Sequence, residues 1–380
     1  MNRIAIVVGC VVAMLAGTAS AKAAKAPEPP LVIAKQGYFY VGGQKVKKAD
    51  REVIADAMFV EYQIPAKQTH RWPIVMIHGG STSGATFLGT PDDRPGWAEY
   101  FVRRGYAVYV VDQPTRGKSG YDPDIDGPLE RGAPGGTERS FTAPEKFDSY
   151  PQAKLHNQWP GTGLPGDPIF DRMVSSQLTT INGGLRMDTI NRDAVAALLD
   201  KIGPAILLTH SRSGPFGWLA ADARPGKVKG IVAMEPNGPV FKNADPSAGA
   251  QPPSNAERAW GITYEKLTFS PAVTDPVRDL VPVSEPPEGP GLFGCWKMGG
   301  APRKLTNLIG VPIVIMSAEA SYHAQYDHCT ARFLTQAGVA NTFLRLADRG
   351  IHGNGHLMML EKNNQQIAAL IYDWLGKNVH

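Results

Sequence analysis

A short segment, residues 205–214, constrains the fold of this chain more than any other. Its apolar half, 205–208, predicts a buried strand, and a segment compatible with a helix follows at 216–223. The sequence Thr-His-Ser-Arg-Ser at 209–213 joins the two. A serine at a tight turn between a strand and a helix is the layout of a nucleophile elbow, which lifts the serine hydroxyl out of the sheet. The sequence therefore indicates Ser211 as the nucleophile.

The residues that flank Ser211 leave other interpretations open. The elbow needs small residues two positions before and two positions after the nucleophile, and Thr209 and Ser213 stand there in place of the usual glycines. Ser213 is the alternative nucleophile, but that frame would put Pro215 where a small residue is needed. The structural alternative is a polar cap on a buried helix, since serine caps helices well.

The composition is that of an ordinary globular protein, with 43% hydrophobic and 19% charged residues in a chain of 380. The 32 prolines and 41 glycines predict long, rigid loops rather than disorder. The length suits one large α/β domain with insertions, or two smaller domains. The net charge is +4 and the chain has no basic run, so we expect no nucleic acid partner.

The first 21 residues predict a secretory signal peptide. Arg3 supplies a short positive region, residues 4–15 are apolar, and Ala-Ser-Ala at 19–21 is a small-x-small cleavage site. Cleavage as late as residue 24 is the alternative, and 22–30 reads as a linker of Lys, Ala and Pro. The apolar run is too short to cross a bilayer comfortably, so no stable membrane span is expected once the signal is removed. We expect an exported protein, periplasmic or secreted.

The cysteines favour one disulfide. Cys10 lies inside the predicted signal peptide, which leaves Cys295 and Cys329 in the mature chain. In an exported protein an even pair of cysteines indicates a disulfide. This bond would tie a segment rich in proline and glycine to the segment after a late strand. Two free, buried thiols are the alternative.

Strand and helix patterns alternate along most of the chain. Beside 205–208, the predicted strands lie at 31–41, 57–64, 73–77, 106–111, 228–234, 311–316 and 341–346, and the main helices at 97–104, 187–202, 326–337 and 360–375. This alternation predicts an α/β fold with a mostly parallel central sheet and helices on both faces, in one domain over 31–380. Two segments with little periodicity, 122–184 and 240–305, are rich in proline and glycine, and we interpret them as lid or rim insertions.

A serine hydroxyl becomes a nucleophile when an imidazole takes its proton and a carboxylate orients that imidazole. His352 and His356 both follow the last predicted strand. His356 is the preferred base, because Gly353 and Gly355 form a flexible turn that can carry it above the sheet. His210 precedes the nucleophile and should point away from the site.

Two glutamates at predicted strand ends are candidates for the acid. Glu319 follows the strand at 311–316 and Glu235 follows the strand at 228–234, with Pro236 fixing the turn after it. Their positions alone favour the two equally. Asp327 is a weaker candidate because it lies in a predicted helix. Each glutamate could also be a solvated strand end.

The sequence His78-Gly79-Gly80 ends a buried strand, where glycines allow backbone N–H groups to face a ligand. In a serine hydrolase an oxyanion hole is built at such a position. We therefore expect the N–H groups of Gly80 and Arg212 to form that hole. A glycine turn that merely bends the chain is the alternative.

Three motifs resemble a subgroup of exported bacterial serine esterases in the α/β-hydrolase superfamily. They are Thr-His-Ser-Arg-Ser-Gly at 209–214, Met-Glu-Pro-Asn-Gly-Pro at 234–239 and Gly-Asn-Gly-His-Leu-Met-Met-Leu-Glu-Lys-Asn at 353–363. The likeness covers most of the mature chain, and the last motif is the most specific. The resemblance implies Glu235 as the acid and His356 as the base, with the oxyanion loop after His78. Some relatives have adjacent cysteines in that loop, where this chain has Gly-Ser-Thr, so features that depend on them do not transfer.

The resemblance also implies a carboxylesterase-like activity without a metal or an organic cofactor. We therefore expect a secreted hydrolase of small-molecule carboxylic esters that uses Ser211, His356 and Glu235 through an acyl-enzyme. The alternatives are another serine hydrolase, acting on lactones, amides or polyesters, and a non-catalytic binding protein on the same scaffold. A homodimer is left open.

Overall fold

Apolar segments form the strands of a central sheet in the computed structural model, which describes residues 29–130, 136–241 and 258–380. The strands are β1 (Ile33–Lys47), β2 (Glu52–Pro65), β3 (Ile74–Ile77), β4 (Val108–Asp112), β5 (Leu129–Glu130), β6 (Thr180–Ile181), β7 (Ala205–His210), β8 (Val228–Met234), β9 (Phe269–Ser270), β10 (Pro282–Ser284), β11 (Trp296–Met298), β12 (Lys304–Leu305), β13 (Ile313–Ser317) and β14 (Thr342–Arg345). The α-helices are α1 (Ala85–Leu88), α2 (Trp97–Arg103), α3 (Pro123–Asp126), α4 (Pro168–Ser175), α5 (Gly184–Ile202), α6 (Gly214–Ala223), α7 (Pro276–Leu280), α8 (Asp327–Gln336) and α9 (Asn364–Asn378).

Eight of these strands make one sheet in the order β1-β2-β4-β3-β7-β8-β13-β14. The pairs β1–β2 and β2–β4 are antiparallel, and every other neighbouring pair is parallel. The predicted mostly parallel sheet is therefore confirmed. Every residue of the central strands β3 and β7 is buried, as expected of parallel strands covered on both faces.

The hairpin of β1 and β2 is longer than the sequence predicted. Pairing continues from Gly42 opposite Ala57 to Lys47 opposite Glu52, well beyond the predicted strand ends. Most side chains of this extension are exposed, so the hydrophobic alternation that marks a strand fades there while the backbone ladder goes on.

Helices cover both faces of the sheet. Val75 and Ile77 in β3 belong to one core cluster with Leu198 of α5 and other buried residues of α5 and α6. Their alternate neighbours in β3 point to the opposite face and are equally buried. On that side α2 and α9 pack together, and the Trp97 indole N–H donates to the carbonyl of Asn364 (2.9 Å). The predicted layers are thus present.

The two predicted insertions contain short elements that the sequence did not reveal. The first, 122–184, includes α3, α4 and the small β5–β6 ladder, together with several tight helical turns. The part of the second that the structure describes contains α7 and the two-stranded β10–β11 and β9–β12 sheets. Such short elements lack the periodicity by which sequence patterns identify helices and strands.

Residues Val32–His380 form one compact unit. The predicted signal peptide and most of the linker lie outside the described residues. No helix within the described ranges is long and apolar enough to cross a membrane. The predicted disulfide between Cys295 and Cys329 is present and links the segment before β11 to α8.

Candidate active site

The predicted elbow is formed by a strained turn between β7 and α6. Ser211 directly follows the last residue of β7 and has a φ of 54°, in the left-handed region that residues other than glycine rarely adopt. A single 3₁₀ turn, Ser211–Ser213, leads from there into α6. Ser211 is partly exposed while its neighbours in β7 and α6 are buried. The turn therefore presents the Ser211 side chain at the carboxyl edge of the sheet.

Ser213 has a different role in this turn. It is fully buried, and its hydroxyl donates to the carbonyl of Ile77 (2.7 Å) and accepts the N–H of His210 (2.8 Å). These bonds fasten the elbow to the end of β3. A hydroxyl committed to two backbone groups and closed off from solvent is poorly placed for attack on a substrate, which favours Ser211 over Ser213.

The elbow is also packed against the turn that follows β8. The N–H of Asn237 donates to the carbonyl of Ser211 (2.8 Å). A Cβ atom at Gly214 would lie only 2.4 Å from the Cβ of Pro236, so the first residue of α6 has to be glycine for the two turns to approach this closely. The backbone thus brings the serine turn and the glutamate turn together.

Glu235 is held in that second turn with a φ of 44° and is completely buried. One carboxylate oxygen accepts the N–H of Ala318 (2.8 Å), and the other accepts the hydroxyl of Ser321 (2.8 Å) and Nδ1 of His356 (2.5 Å). Burial raises the pKa of Glu235 above that of an exposed glutamate. The three donors fix the direction of the carboxylate toward one imidazole nitrogen.

His356 reaches Glu235 from the loop after β14. Gly353 has a φ of 74°, so the turn before the histidine uses a conformation that suits glycine. The imidazole is buried, with the ring of His323 stacked on it at 4.6 Å and the ring of Tyr322 at 4.9 Å. Burial lowers the pKa of His356 well below 6.5, so the imidazole is neutral at rest and can accept a proton.

Tyr322 lies between the cavity and His356, because its ring packs against the imidazole of His356 (4.9 Å) and it lines the same cavity as Ser211. Ser211 and Tyr322 face a cavity of about 680 Å³, which is large enough for a small-molecule ligand. The cavity is lined by Gly80, Arg139, Ser140, Phe141, Ser149, Tyr150, Ser211, Arg212, Asn237, Gly238, Tyr322, His323 and Tyr326. The first predicted insertion therefore contributes part of its wall.

Gly80 and Arg212, the predicted oxyanion-hole residues, both line this cavity beside Ser211. A Cβ atom at Gly80 would lie 3.8 Å from the Cβ of Arg212, so the two backbones run close together. The preceding carbonyl, that of Gly79, accepts a hydrogen bond from the buried guanidinium of Arg116 (3.0 Å). The loop after β3 is thereby held in place next to the elbow.

The second-choice residues form a pair of their own. His352 Nδ1 lies 3.1 Å from a carboxylate oxygen of Glu319, and 60% of the histidine side chain is exposed. The other oxygen of Glu319 accepts the N–H of Gly353 (2.9 Å). The structure thus pairs Glu235 with the buried His356, and Glu319 with the largely exposed His352.

The expectation that His210 points away from the site is wrong. Its ring lies 4.5 Å from that of His356, and its Nε2 donates to the His356 carbonyl (2.9 Å). A Cβ atom at Gly79 would lie 2.7 Å from His210 Nδ1, so that glycine makes room for the ring. Alternation along β7 does not fix this side chain, because the strand ends at His210 and the backbone turns there.

Other residues near the base carry no local sequence signal. Asp327, the weaker acid candidate, is buried and accepts a hydrogen bond from Nδ1 of His323 (2.9 Å), whose ring is the one stacked on His356. Glu361 accepts the N–H of Gly355 (2.9 Å) and a bond from His156 Nε2 (2.9 Å) in the first insertion. The bond between His156 and Glu361 and the stacking of His323 on His356 join segments far apart in sequence, so local patterns could not have revealed them.

Two clusters in the described residues have donor atoms close enough to hold a metal ion. The first is Glu235 with His323 and His356, but its carboxylate is already bonded to the His356 imidazole. The second is Cys295 with His328 and Cys329, in which both sulfur atoms are bonded to each other. Neither donor set has the free ligands that a metal centre requires.

Comparisons with known proteins agree with this architecture. The model of a family described as "Alpha/beta hydrolase family" matches residues 74–370. A protein named "Probable secreted lipase phiG", from Fungal sp. (strain ATCC 74256), is 41% identical over 340 residues, which cover 90% of this chain and 89% of that protein. The solved structure titled "The Atomic Resolution Structure of a Novel Bacterial Esterase" is 24% identical, with a TM-score of 0.65, and the match covers 94% of this chain and all of that one. The α/β-hydrolase fold predicted from the sequence is confirmed.

Proposed function

The chain belongs to the alpha/beta hydrolase family and is an enzyme of the lipase and esterase type, and we propose that it is an exported carboxylic-ester hydrolase with Ser211, His356 and Glu235 as its catalytic triad. The observation that carries the proposal is the buried bond from His356 Nδ1 to Glu235, next to a cavity that contains Ser211 on a strained turn. This is the set of groups that acyl transfer by a serine requires.

In the proposed reaction the Ser211 hydroxyl attacks the ester carbonyl and His356 takes its proton. Glu235 holds the imidazole with Nε2 turned away from the carboxylate and stabilises the imidazolium as it forms. The backbone N–H groups of Gly80 and Arg212 would bind the oxyanion, and the loss of one such donor typically costs about 100- to 1000-fold in rate. His356 then protonates the leaving alcohol, and water hydrolyses the acyl-enzyme by the reverse sequence of proton transfers.

Several contacts favour this assignment over the second choices. The imidazolium that forms on His356 during the reaction would interact strongly with the fixed carboxylate of Glu235, because both groups are buried in a low-dielectric site. The ring of His356 is held between His323, His210 and Tyr322, so it has little freedom to turn. The exposed His352 has no comparable restraint.

Export is also part of the proposal. The relative that is 41% identical carries the word "secreted" in its name, and the Cys295–Cys329 disulfide suits an oxidising compartment. Mass spectrometry of the protein purified from its native host would give the N-terminus of the mature chain. We expect it to begin between residues 22 and 25, and a retained Met1 would contradict the signal peptide.

The nucleophile can be tested by labelling the purified protein with a fluorophosphonate and mapping the adduct by peptide mass spectrometry. We expect an adduct on Ser211 that is lost in His356→Ala and kept in His352→Ala. An adduct on Ser213 would show that the frame of the elbow is wrong. A folded protein without any adduct would instead favour a binding protein on the hydrolase scaffold.

The bond that is cleaved needs a separate measurement. Hydrolysis of ester, lactone, amide and polyester substrates with similar leaving groups should be compared for the wild type and for Ser211→Ala. We expect the highest kcat/KM for simple esters and no turnover by the variant. A preference for one of the other bonds would keep the triad but change the substrate class.

A further inference from the structure

We propose that this enzyme prefers esters that carry a carboxylate group, which the guanidinium groups of Arg139 and Arg212 bind at the wall of the cavity. The inference rests on the proposed ester hydrolysis at Ser211 and specifies its substrate class. It starts from the charges that line the cavity.

The cavity lining is positively charged. It includes two arginines, Arg139 and Arg212, and none of the residues that line it is an aspartate or a glutamate. Glu235, the nearby carboxylate, is completely buried and bonded to three donors. A cavity with cationic groups and no anionic ones attracts negatively charged ligands.

Neither arginine has an ion-pair partner within the described ranges. The guanidinium of Arg139 lies 4.5 Å from the ring of Phe147, and Arg212 has no carboxylate within salt-bridge distance. Some other surface arginines do have such partners, for example Arg224 in Asp200 (2.8 Å) and Arg172 in Asp93 (2.8 Å). The donors of Arg139 and Arg212 are therefore available to a bound anion.

Two further guanidinium groups increase the positive charge around Arg212. Arg116 is buried under the loop after β3, and burial together with the charge of Arg212 lowers its pKa to about 10. Arg258 is fully buried, and burial and the charge of Arg212 also contribute to its lowered pKa. Burial raises the pKa of the nearby Asp188 to about 6, so its carboxylate is still mostly ionised at neutral pH and offsets part, but not all, of the charge of these guanidinium groups. An anion near Arg212 would relieve this repulsion between like charges.

The shape of the donors favours a carboxylate. A guanidinium offers parallel N–H groups that match the two oxygens of a carboxylate. The rings of Phe141, Tyr150 and Tyr326 in the same lining would contact the apolar part of such a substrate. The carboxylate could belong to the acyl part or to the alcohol part of the ester, and the experiment separates the two.

Two matched pairs of aryl esters test the proposal. In the first pair, a pentanoate and a glutarate monoester of the same phenol differ by a carboxylate in the acyl part. In the second, butanoates of 3-(4-hydroxyphenyl)propanamide and of 3-(4-hydroxyphenyl)propanoate differ by a carboxylate in the alcohol part. We expect the wild type to have a higher kcat/KM for the charged member of at least one pair, and the ratio of charged to neutral substrate to fall in 0.5 M salt because salt screens the charges.

Substitution of the two arginines gives the decisive comparison. We expect Arg139→Gln and Arg212→Gln each to lower the charged-to-neutral ratio by about tenfold, as the loss of one charge-assisted hydrogen bond does. Arg224→Gln is the matched control, since Arg224 lies just after the end of α6 that is distant from Ser211. Its ratio should equal that of the wild type.

The failures can be told apart. Two results would overturn this inference and keep the proposed function, provided that Ser211 is needed to hydrolyse the neutral esters. The first is no preference for the charged ester of either pair. The second is a charged-to-neutral ratio that neither arginine substitution changes. No Ser211-dependent hydrolysis of any of the four esters would overturn the proposed function itself, and the inference with it.

Discussion

Two glutamate–histidine pairs lie at the same edge of the sheet. They contain the same chemical groups but differ in burial and in the distance between the paired atoms. Glu235 and His356 are buried and joined at 2.5 Å, with side chains 0% and 2% exposed. Glu319 and His352 are joined at 3.1 Å, with side chains 23% and 60% exposed. Water screens the second pair and leaves its imidazole free to move, whereas the first pair interacts in a low-dielectric site. The comparison shows that burial, rather than the pairing itself, separates a candidate catalytic dyad from a surface ion pair.

The largest expected effect comes from removing each histidine in turn. His356→Ala should lower kcat for an ester substrate by about 10⁴- to 10⁶-fold, because the serine then has no base. His352→Ala should change kcat less than about twofold. Steady-state kinetics on the two variants, with circular dichroism as the check on folding, would decide. Comparable losses of kcat in both variants would mean that burial does not identify the histidine that acts as the base.

The two glutamates provide the next comparison. Glu235→Gln preserves the size of the side chain but removes an acceptor, so His356 Nδ1 loses its anionic partner and kcat should fall by about 10⁴-fold. Glu319→Gln should leave kcat almost unchanged, since its histidine is exposed. A large loss for Glu319→Gln, with Glu235→Gln still active, would assign the acid to the strand end after β13.

The sequence predicted much of this site because its signals are local. The elbow at Ser211, the glutamate after β8 and the glycine turn before His356 each occupy a few consecutive residues at a strand end, and parallel strands bring those ends to one edge. Position alone could not separate Glu235 from Glu319, because the difference lies in burial. Tyr322, His323 and the ring of His210 were missed for a related reason, since their places depend on tertiary contacts with His356.

The buried pair of Glu361 and His156 tests the effect of burial on stability apart from catalysis. The Glu361 carboxylate is buried and accepts bonds from His156 and from the Gly355 N–H. Glu361→Gln leaves the buried His156 without one of its anionic partners, so we expect the free energy of unfolding to fall by about 3 kcal/mol. Glu319→Gln should lower it by less than about 1 kcal/mol, as exposed pairs contribute little. Denaturant unfolding measures the loss of unfolding free energy in each variant. Equal losses would contradict the argument that the buried pair contributes more to stability than the exposed pair.

The smallest expected effect is on the pH dependence of stability and concerns His78, a buried histidine that has no carboxylate partner among the described residues. His78 donates through Nδ1 to the Gly79 carbonyl (2.9 Å) and accepts the N–H of Gln113 (3.1 Å), and burial lowers its pKa from 6.5 to about 3. The unfolded chain takes up this proton near pH 6.5 and the folded chain only near pH 3. The contribution of His78 to the free energy of unfolding is therefore complete above pH 6.5 and is lost as the pH falls. The loss is about 2 kcal/mol between pH 7.5 and pH 5.

His78→Gln removes that titration and can keep an acceptor for the Gln113 N–H. The advantage in unfolding free energy of the wild type over the variant should therefore shrink by about 2 kcal/mol from pH 7.5 to pH 5. Denaturant unfolding at the two pH values, with the disulfide intact, measures this double difference, in which the titrations common to both proteins cancel. An advantage that stays constant would mean that the folded chain protonates His78 as readily as the unfolded chain does. Burial would then not keep this imidazole neutral, and the same argument for His356 would lose its physical basis.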